Sequence, residues 1–535
     1  MLSIKSGQAH ECGRGHQYLP ELFRTEGMLE QPRRFLYYRG MKNIQYHSTR
    51  SGKDPVSFAE AVVRGIAPDG GLYVPTSFPS IDIRDPRLRD YSYQQLAENI
   101  LTLFIPDFSA EEIAGCVNGA YDDKFRDPLI APLHSCGNAH FIELYHGKTL
   151  AFKDIALSIL PHFLTTAARK LDIDDTIVIL TATSGDTGKA ALEGFADVAG
   201  VKIVVFYPTD GVSEVQKRQM TTQEGANTHV FGIAGNFDDA QTGVKAIFGD
   251  TGLRDLIAGR GYRFSSANSI NPGRLLPQIV YYVNGYLELL RRGEIEEGDP
   301  INIVVPTGNF GNILAAWYAE RIGLPVKKFI CASNRNKVLT DFIRTGKYDI
   351  NRTFAATISP SMDILISSNL ERFLYELSGR NPDRVISLMK GLKDRGIYEI
   401  DDEMKAGMHS FYGGFADDRE TVDTIGDLYR QYGYVADTHT AVGYRVYEQY
   451  RNEQQDSTPT LIASTASPFK FGRSVAGGLG LPTDGKSDFE LIDQLADHCG
   501  IEVPGPIRGI AGRPIKHPGT CGKNELKSVV EELLK

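Results

Sequence analysis

Six short runs of β-branched and apolar residues, each closing in a turn rich in Gly, Ser or Thr and followed by a helix-forming stretch, govern the chain beyond about residue 140. They are Thr176–Leu180, Val201–Phe206, Thr228–Ile233, Ile301–Val305, Lys328–Ala332 and Thr460–Ala463. Parallel neighbours need a crossover between them, and a helix is the usual one, so this alternation predicts α/β units with mainly parallel sheets. Such sheets take ligands at the carboxyl ends of their strands, where strand order reverses. The polar turns after the runs are therefore where chemistry is expected.

A length of 535 residues corresponds to about three or four structural units. Residues 1–40 carry six Lys/Arg and four Glu with no sustained periodicity, which predicts a poorly ordered extension. They lack the apolar centre of a secretory signal, and Glu11, Glu21, Glu26 and Glu30 argue against a transit peptide. Met41 is an alternative start. From 41 to 135 the pattern mixes a helix at Ser57–Arg64, a Pro-Asp-Gly-Gly turn, a strand at Leu72–Val74 and helices near 92–104 and 110–118, predicting a small N-terminal domain. Residues 136–480 form the catalytic α/β region in two subdomains, with a helical insertion at about 366–435, and 481–535 a C-terminal extension ending in a helix at Asn524–Leu534.

Charge and cysteine usage exclude several classes. With 58 basic and 67 acidic side chains the net charge is -9, so no general attraction to nucleic acid or an anionic membrane is expected. No run of about 18 apolar residues is present, so no transmembrane helix is expected and the chain should be soluble. The six cysteines are scattered without a CxxC pair, and the twelve histidines form no HExxH, which argues against a disulfide framework or a metal site and for a reducing cytoplasm.

Four turns and one lysine carry the chemistry. Lys153 follows the apolar Leu150-Ala-Phe152 at a helix start, where an amine disfavoured as ammonium suits nucleophilic or Schiff-base work; a solvated surface lysine is the plain alternative. After Thr176–Leu180 come Thr183, Ser184, Gly185, Asp186 and Thr187, hydroxyls and free helix-start N–H groups able to hold a carboxylate, or an ordinary capped helix. After Ile301–Val305 the loop Gly308, Asn309, Phe310, Gly311, Asn312 is neither a Walker A nor GxGxxG, yet it suits a single phosphate on backbone N–H groups. Ser265–Arg274 gathers Asn268, Ser269 and Arg274, whose planar fork favours an oxyanion, and Thr465 follows the last run.

Taken in order, Leu-Ala-Phe-Lys153-Asp, Thr-Ser-Gly-Asp186-Thr-Gly, Asn268-Ser-Ile-Asn and Gly308-Asn-Phe-Gly, with Ser359-Pro-Ser-Met-Asp and Asp437-Thr-His-Thr, resemble the threonine synthase family over most of residues 41–480. The resemblance implies a fold type II, tryptophan synthase β-like enzyme that uses pyridoxal 5'-phosphate. It further implies conversion of O-phospho-L-homoserine and water into L-threonine and phosphate, the last step of threonine biosynthesis. By it Lys153 holds the cofactor covalently, Gly308–Asn312 its phosphate, Asp186 lies beside its phenolic oxygen and Thr465 meets its ring nitrogen. Thr183, Ser184 and Thr187 would take the substrate carboxylate, and Asn268, Ser269 and Arg274 the substrate phosphate. The longer forms it resembles imply a monomer.

Asp186 sits where many fold type II relatives have Asn, and one departure from the family stands out: where many members read Thr-Ala-His-Pro-Ala-Lys-Phe, Ser467 replaces the histidine. A phospho-amino-acid lyase or a serine/threonine dehydratase shares most of these motifs, and a catalytically dead homologue or a dinucleotide-binding protein is the alternative from another class.

Overall fold

The computed structural model describes residues 44–183, 185–209 and 212–535. The expectations for residues 1–40, for Met41 as a start and for Ser184 lie outside the described residues.

All six runs form strands, and they divide between two sheets. In the five-stranded sheet the order is Thr520–Gly522, Thr228–Ala234, Val201–Pro208, Thr176–Ala182 and Tyr262–Ser265, every pair parallel. The six-stranded sheet runs Phe411–Phe415, Val326–Ser333, Ile301–Pro306, Thr460–Ser464, Ala139–Glu143 and Leu133–Cys136, parallel except for the last pair. Central strands of such sheets are covered on both faces and so read as continuous apolar runs. Val178, Leu180, Val204 and Phe206 are accordingly all fully buried. At about 1.5–3 kcal/mol per buried large apolar side chain, these strands supply much of the driving force for assembly.

The segment 366–435, expected as helical, is mostly so, with helices Leu370–Leu377, Pro382–Arg395, Asp402–Ala406 and Asp418–Tyr432. It also contributes Phe411–Phe415 as the edge strand of the six-stranded sheet. Two glycines in that strand hid it from the pattern, and both are needed. A Cβ on Gly413 would lie 3.0 Å from the Thr340 backbone, and one on Gly414 2.5 Å from Val446. The C-terminal part, treated in the sequence as an extension, likewise enters the fold. Thr520–Gly522 pairs with Thr228–Ala234, and the helix Leu526–Leu533 packs on the helix Phe237–Gly249 through buried Leu526.

N-terminal helices start where Ser-x-x-Glu/Gln boxes place them. Ser57 with Glu60, Ser92 with Gln95 and Ser109 with Glu112 reciprocally satisfy the orphan N–H groups of Phe58–Arg64, Tyr93–Phe104 and Ala110–Ala120. This part is tied to the later chain by polar contacts. Glu371 accepts from Thr49 at 2.6 Å and from Arg50 at 2.8 Å, and the buried Arg372 donates to the Tyr73 carbonyl at 2.9 Å. Among the described residues no helix is long and apolar enough to cross a membrane, no group of His, Cys, Asp and Glu could hold a metal ion, and the cysteines are free.

The helices Lys153–Lys170 and Asp186–Phe195 pack closely, and Gly194 sets their separation: a Cβ there would lie 2.2 Å from the Leu157 carbonyl oxygen. Gly194→Ala is expected to cost about 1–3 kcal/mol through overpacking. By contrast Gly115, exposed within Ala110–Ala120 with nothing inside 4 Å of a Cβ, should become about 0.5–1 kcal/mol more stable as Ala. Thermal melting of the two variants beside the parent checks the opposite signs; a loss in both would mean that helix separation is not what Gly194 sets.

Candidate active site

Strand order reverses beside Thr176–Ala182 in one sheet and between Ile301–Pro306 and Thr460–Ser464 in the other. The turns leaving these strands line one cavity of about 1550 Å³, which collects Lys153, Asp186, Asn268, Arg274, Asn312 and Thr465. Thr183, Thr187, Ser269 and the 308–311 loop line it too. Every described residue to which the resemblance gives a cofactor or substrate role thus reaches the same space, although the segments are up to 312 positions apart (from Lys153 to Thr465).

Lys153 is the first residue of its helix and is 8% exposed. The strained Leu150, at φ 61°, and pairing of Ala151 with Ala466 pin it from behind, and Phe152 N–H donates to the Thr465 carbonyl at 2.8 Å. Its Nζ lies 3.3 Å from Asp186 Oδ2 and 3.4 Å from Ser361 Oγ. Burial disfavours its ammonium form and lowers its pKa from the ordinary lysine value, against the pull of Asp186.

Asp186 is more than a neighbour of Lys153. Its Oδ1 lies 2.7 Å from the ammonium of Lys470, which is 1% exposed, and accepts from Gln216 Nε2 at 2.7 Å. Burial alone would raise this carboxyl, but Lys470 and Lys153 outweigh it and hold it well below the usual carboxylate range. Gly185 ahead of it is required twice over, by φ 133° and because a Cβ would fall 2.7 Å from the Gln216 amide. Asp186 is therefore a fixed anion with no proton to donate.

Two features of the cavity suit oxyanions. The first is the loop before the helix Gly311–Arg321, whose leading N–H groups have no intrahelical partner. Phe310 is left-handed at φ 61°, and a Cβ on Gly308 would lie 2.6 Å from the Ser361 carbonyl oxygen. Asn312 Oδ1 accepts from both Tyr281 and Tyr282, so its buried Nδ2 is left without a partner. The second is Arg274, 2% exposed, which spends Nη1 on the Ala267 carbonyl at 2.6 Å and leaves Nε unpartnered. Burial lowers Arg274 to about 10, still cationic near neutrality. An unsatisfied buried donor costs about 1–3 kcal/mol, which a bound anion would recover. A phosphorylated aldehyde cofactor fits the donor set: a buried amine, an N–H-rich loop and a neutral Thr465 hydroxyl.

Thr183 differs from its neighbours: its Oγ1 accepts from the N–H groups of Gly185 and Gly188, both at 2.9 Å, so it shapes the loop. Sequence reasoning did not single out Lys470, Gln216, Ser361 or His439. His439 Nδ1 lies 2.9 Å from Asp437 Oδ1 and its Nε2 accepts from Ser361 N–H at 3.2 Å, which fixes the Ser361 turn against Lys153. For Ser361 and His439 the signal lies in Ser359-Pro-Ser-Met-Asp and Asp437-Thr-His-Thr, segments that carry the family resemblance.

Comparison with known proteins agrees with this geometry. Family models match in order along the chain: threonine synthase N terminus at residues 45–121, pyridoxal-phosphate dependent enzyme at 142–466, and threonine synthase, C-terminal, at 440–500. Threonine synthase-like 1 of Pongo abelii is 40% identical over 435 residues, 79% of this chain but 58% of that protein, so the chain spans little more than half the length of that relative. Threonine synthase of Pseudomonas aeruginosa is 38% identical over 438 residues, 81% of this chain and 90% of its own. The crystal structure of pyridoxal-phosphate-bound threonine synthase from Brucella melitensis superposes with a TM-score of 0.81 at 34% identity, over 92% of this chain and 99% of that one. With a family model covering the strands whose turns line the cavity, and relatives aligned over most of its length, the chain belongs to the threonine synthase family of pyridoxal-phosphate-dependent enzymes.

Proposed function

We propose that the protein is a threonine synthase, a carbon–oxygen lyase that converts O-phospho-L-homoserine and water into L-threonine and phosphate in the last step of threonine biosynthesis. The observation that carries this reading is a single buried lysine in one cavity with two separately built oxyanion features, the 308–312 loop and Arg274. A cofactor phosphate and a substrate phosphate need two such places. A dehydratase acting on an unphosphorylated substrate needs only one.

Lys153 would hold pyridoxal phosphate covalently, with the Gly308–Asn312 loop on its phosphate, Asp186 near its phenolic oxygen and Thr465 at its ring nitrogen. When bound, the cofactor supplies an electron sink conjugated to the substrate α carbon. The remaining steps belong to the chain. Burial keeps the Lys153 amine available as a base, and its position lets it remove the Cα proton and then serve at Cβ. Asp186, held as an anion by Lys470, orients that amine and cannot compete with it for the proton. Arg274, with Asn268 and Ser269, binds the substrate phosphate and stabilises it as it leaves Cγ, while Thr187, with Ser184 and Thr183 on the same turn, serves the substrate carboxylate. A neutral Thr465 hydroxyl does not hold a ring nitrogen protonated. The protons taken up by Lys153 are then returned, one to Cγ, which becomes the methyl group, and one to Cα after water has added at Cβ. The free cysteines support a reducing, cytoplasmic setting, and the reading includes a monomer, which light scattering checks.

Incubation with O-phosphohomoserine tests the reading: threonine and phosphate should form in equal amounts. Phosphate released with a 2-oxo acid in place of threonine would overturn the hydration step. Lys153→Ala should abolish turnover and the borohydride-sensitive visible band while leaving the melting temperature near that of the parent. Arg274→Leu should lower kcat/KM by about ten- to 150-fold, the equivalent of roughly 1.5–3 kcal/mol for a charge-assisted bond, with cofactor occupancy retained. Lost occupancy with normal kinetics in the remaining holoenzyme would mean that the two phosphate places are exchanged.

A further inference from the structure

Behind the Lys153–Asp186 pair lies a second cavity of about 800 Å³, closed on one side by the C-terminal residues Arg513, Pro514 and Lys516. Three elements serve both cavities. The helix Lys153–Lys170 presents Lys153 to the first and Asp154 to the second, and Asp186–Phe195 presents Asp186 to the first and Lys189, one turn on, to the second. In Glu214–Thr221, Gln216 holds Asp186 while Gln219, again one turn on, lines the second cavity.

Gln219 is the telling residue. It is 2% exposed, and neither its amide nitrogen nor its amide oxygen has a partner. A buried primary amide left unsatisfied at both ends is costly, and in a cavity this roomy it marks a place for a ligand that offers an acceptor and a donor side by side. The charges around it are mixed. Lys189 and Lys148 share Glu193 at 2.8 and 3.3 Å, Lys516 borders the cavity with its N–H donating to the carbonyl of Thr221 on the Gln219 helix, and Asp154 and Glu224 line the same space. Acidic neighbours disfavour a small dianion such as phosphate, and the lysines disfavour a simple cation.

We propose that this cavity is a binding site for a free α-amino acid, whose carboxylate meets the Gln219 amide N–H and the lysines, and whose ammonium meets the Gln219 oxygen and the acidic side chains. None of these residues takes part in the proposed reaction. The bound amino acid would press on the same three elements that position Lys153 and Asp186. Thr149 joins the two spaces further, since its carbonyl accepts from Lys470 at 2.7 Å while its N–H donates to Asp154 at 2.9 Å.

The test uses the holoenzyme and reads melting temperature with each of the common amino acids, and with inorganic phosphate, at millimolar concentration. At least one amino acid should raise the melting temperature by about 2 °C or more. Gln219→Leu and, separately, Lys516→Glu should need at least about tenfold more of it for the same rise, with the visible cofactor band and basal turnover retained. Lys516 is exposed, so its variant keeps the test open should Gln219→Leu fold poorly. The proposal is overturned if no amino acid gives a shift, if the shift survives in the folded variants, which would place binding in the first cavity, or if phosphate reproduces it.

Discussion

The ion pair between Asp186 and Lys470 is the constraint on which the catalytic geometry rests. Two charges taken out of water are costly unless each is neutralised and hydrogen-bonded, and here each is: Asp186 also accepts from Gln216, and Lys470 also donates to the Thr149 carbonyl. The arrangement decides the state of a third group. With Asp186 already committed to Lys470, Lys153 meets a carboxylate whose charge is shared, and burial prevails in lowering its pKa. One carboxylate between two lysines also leaves the cavity cationic while both are protonated, which suits a space that must take anions.

The strand runs were legible because buried parallel strands need uninterrupted apolar sequence, and all six form. Other strands escaped for physical causes. Ala139–Glu143 is interrupted by His140 and Glu143, Phe411–Phe415 by two glycines, and Tyr262–Ser265 and Thr520–Gly522 are edge strands too short or polar to show a pattern. The site divides in the same way. Asp186 and the 308–312 loop lie directly after strand signals, where glycines and hydroxyls betray a ligand, and Lys153 was marked by an apolar triplet at a helix start. Lys470, Gln216, Ser361 and His439 act through side-chain contacts with partners far away in sequence or in another element, and only the folded chain brings these together.

The helix Phe58–Arg64 is tied into the cavity. Ser265 Oγ donates to the Val63 carbonyl at 2.8 Å and Asn271 Nδ2 to that of Val62 at 2.9 Å, so the helix Phe58–Arg64 fixes both ends of the turn from which Asn268 and Ser269 arise. Arg372 reaches the Ile270 carbonyl of the same turn. The turn assigned to substrate phosphate is thereby braced by segments from before and after it in the chain, which limits its freedom to reorganise when an anion arrives.

Closure of the five-stranded sheet by Thr520–Gly522 has a consequence in time. Translation delivers Thr228–Ala234 long before the partner for its free edge, because that partner begins only at Thr520. An open edge of this kind is a template for pairing with other nascent chains. The sheet that leads into Asp186 therefore keeps an open edge while all the intervening residues are made, and loss of Thr520–Gly522 would leave Lys153, Asp186 and Thr465 in the chain but the sheet unsealed.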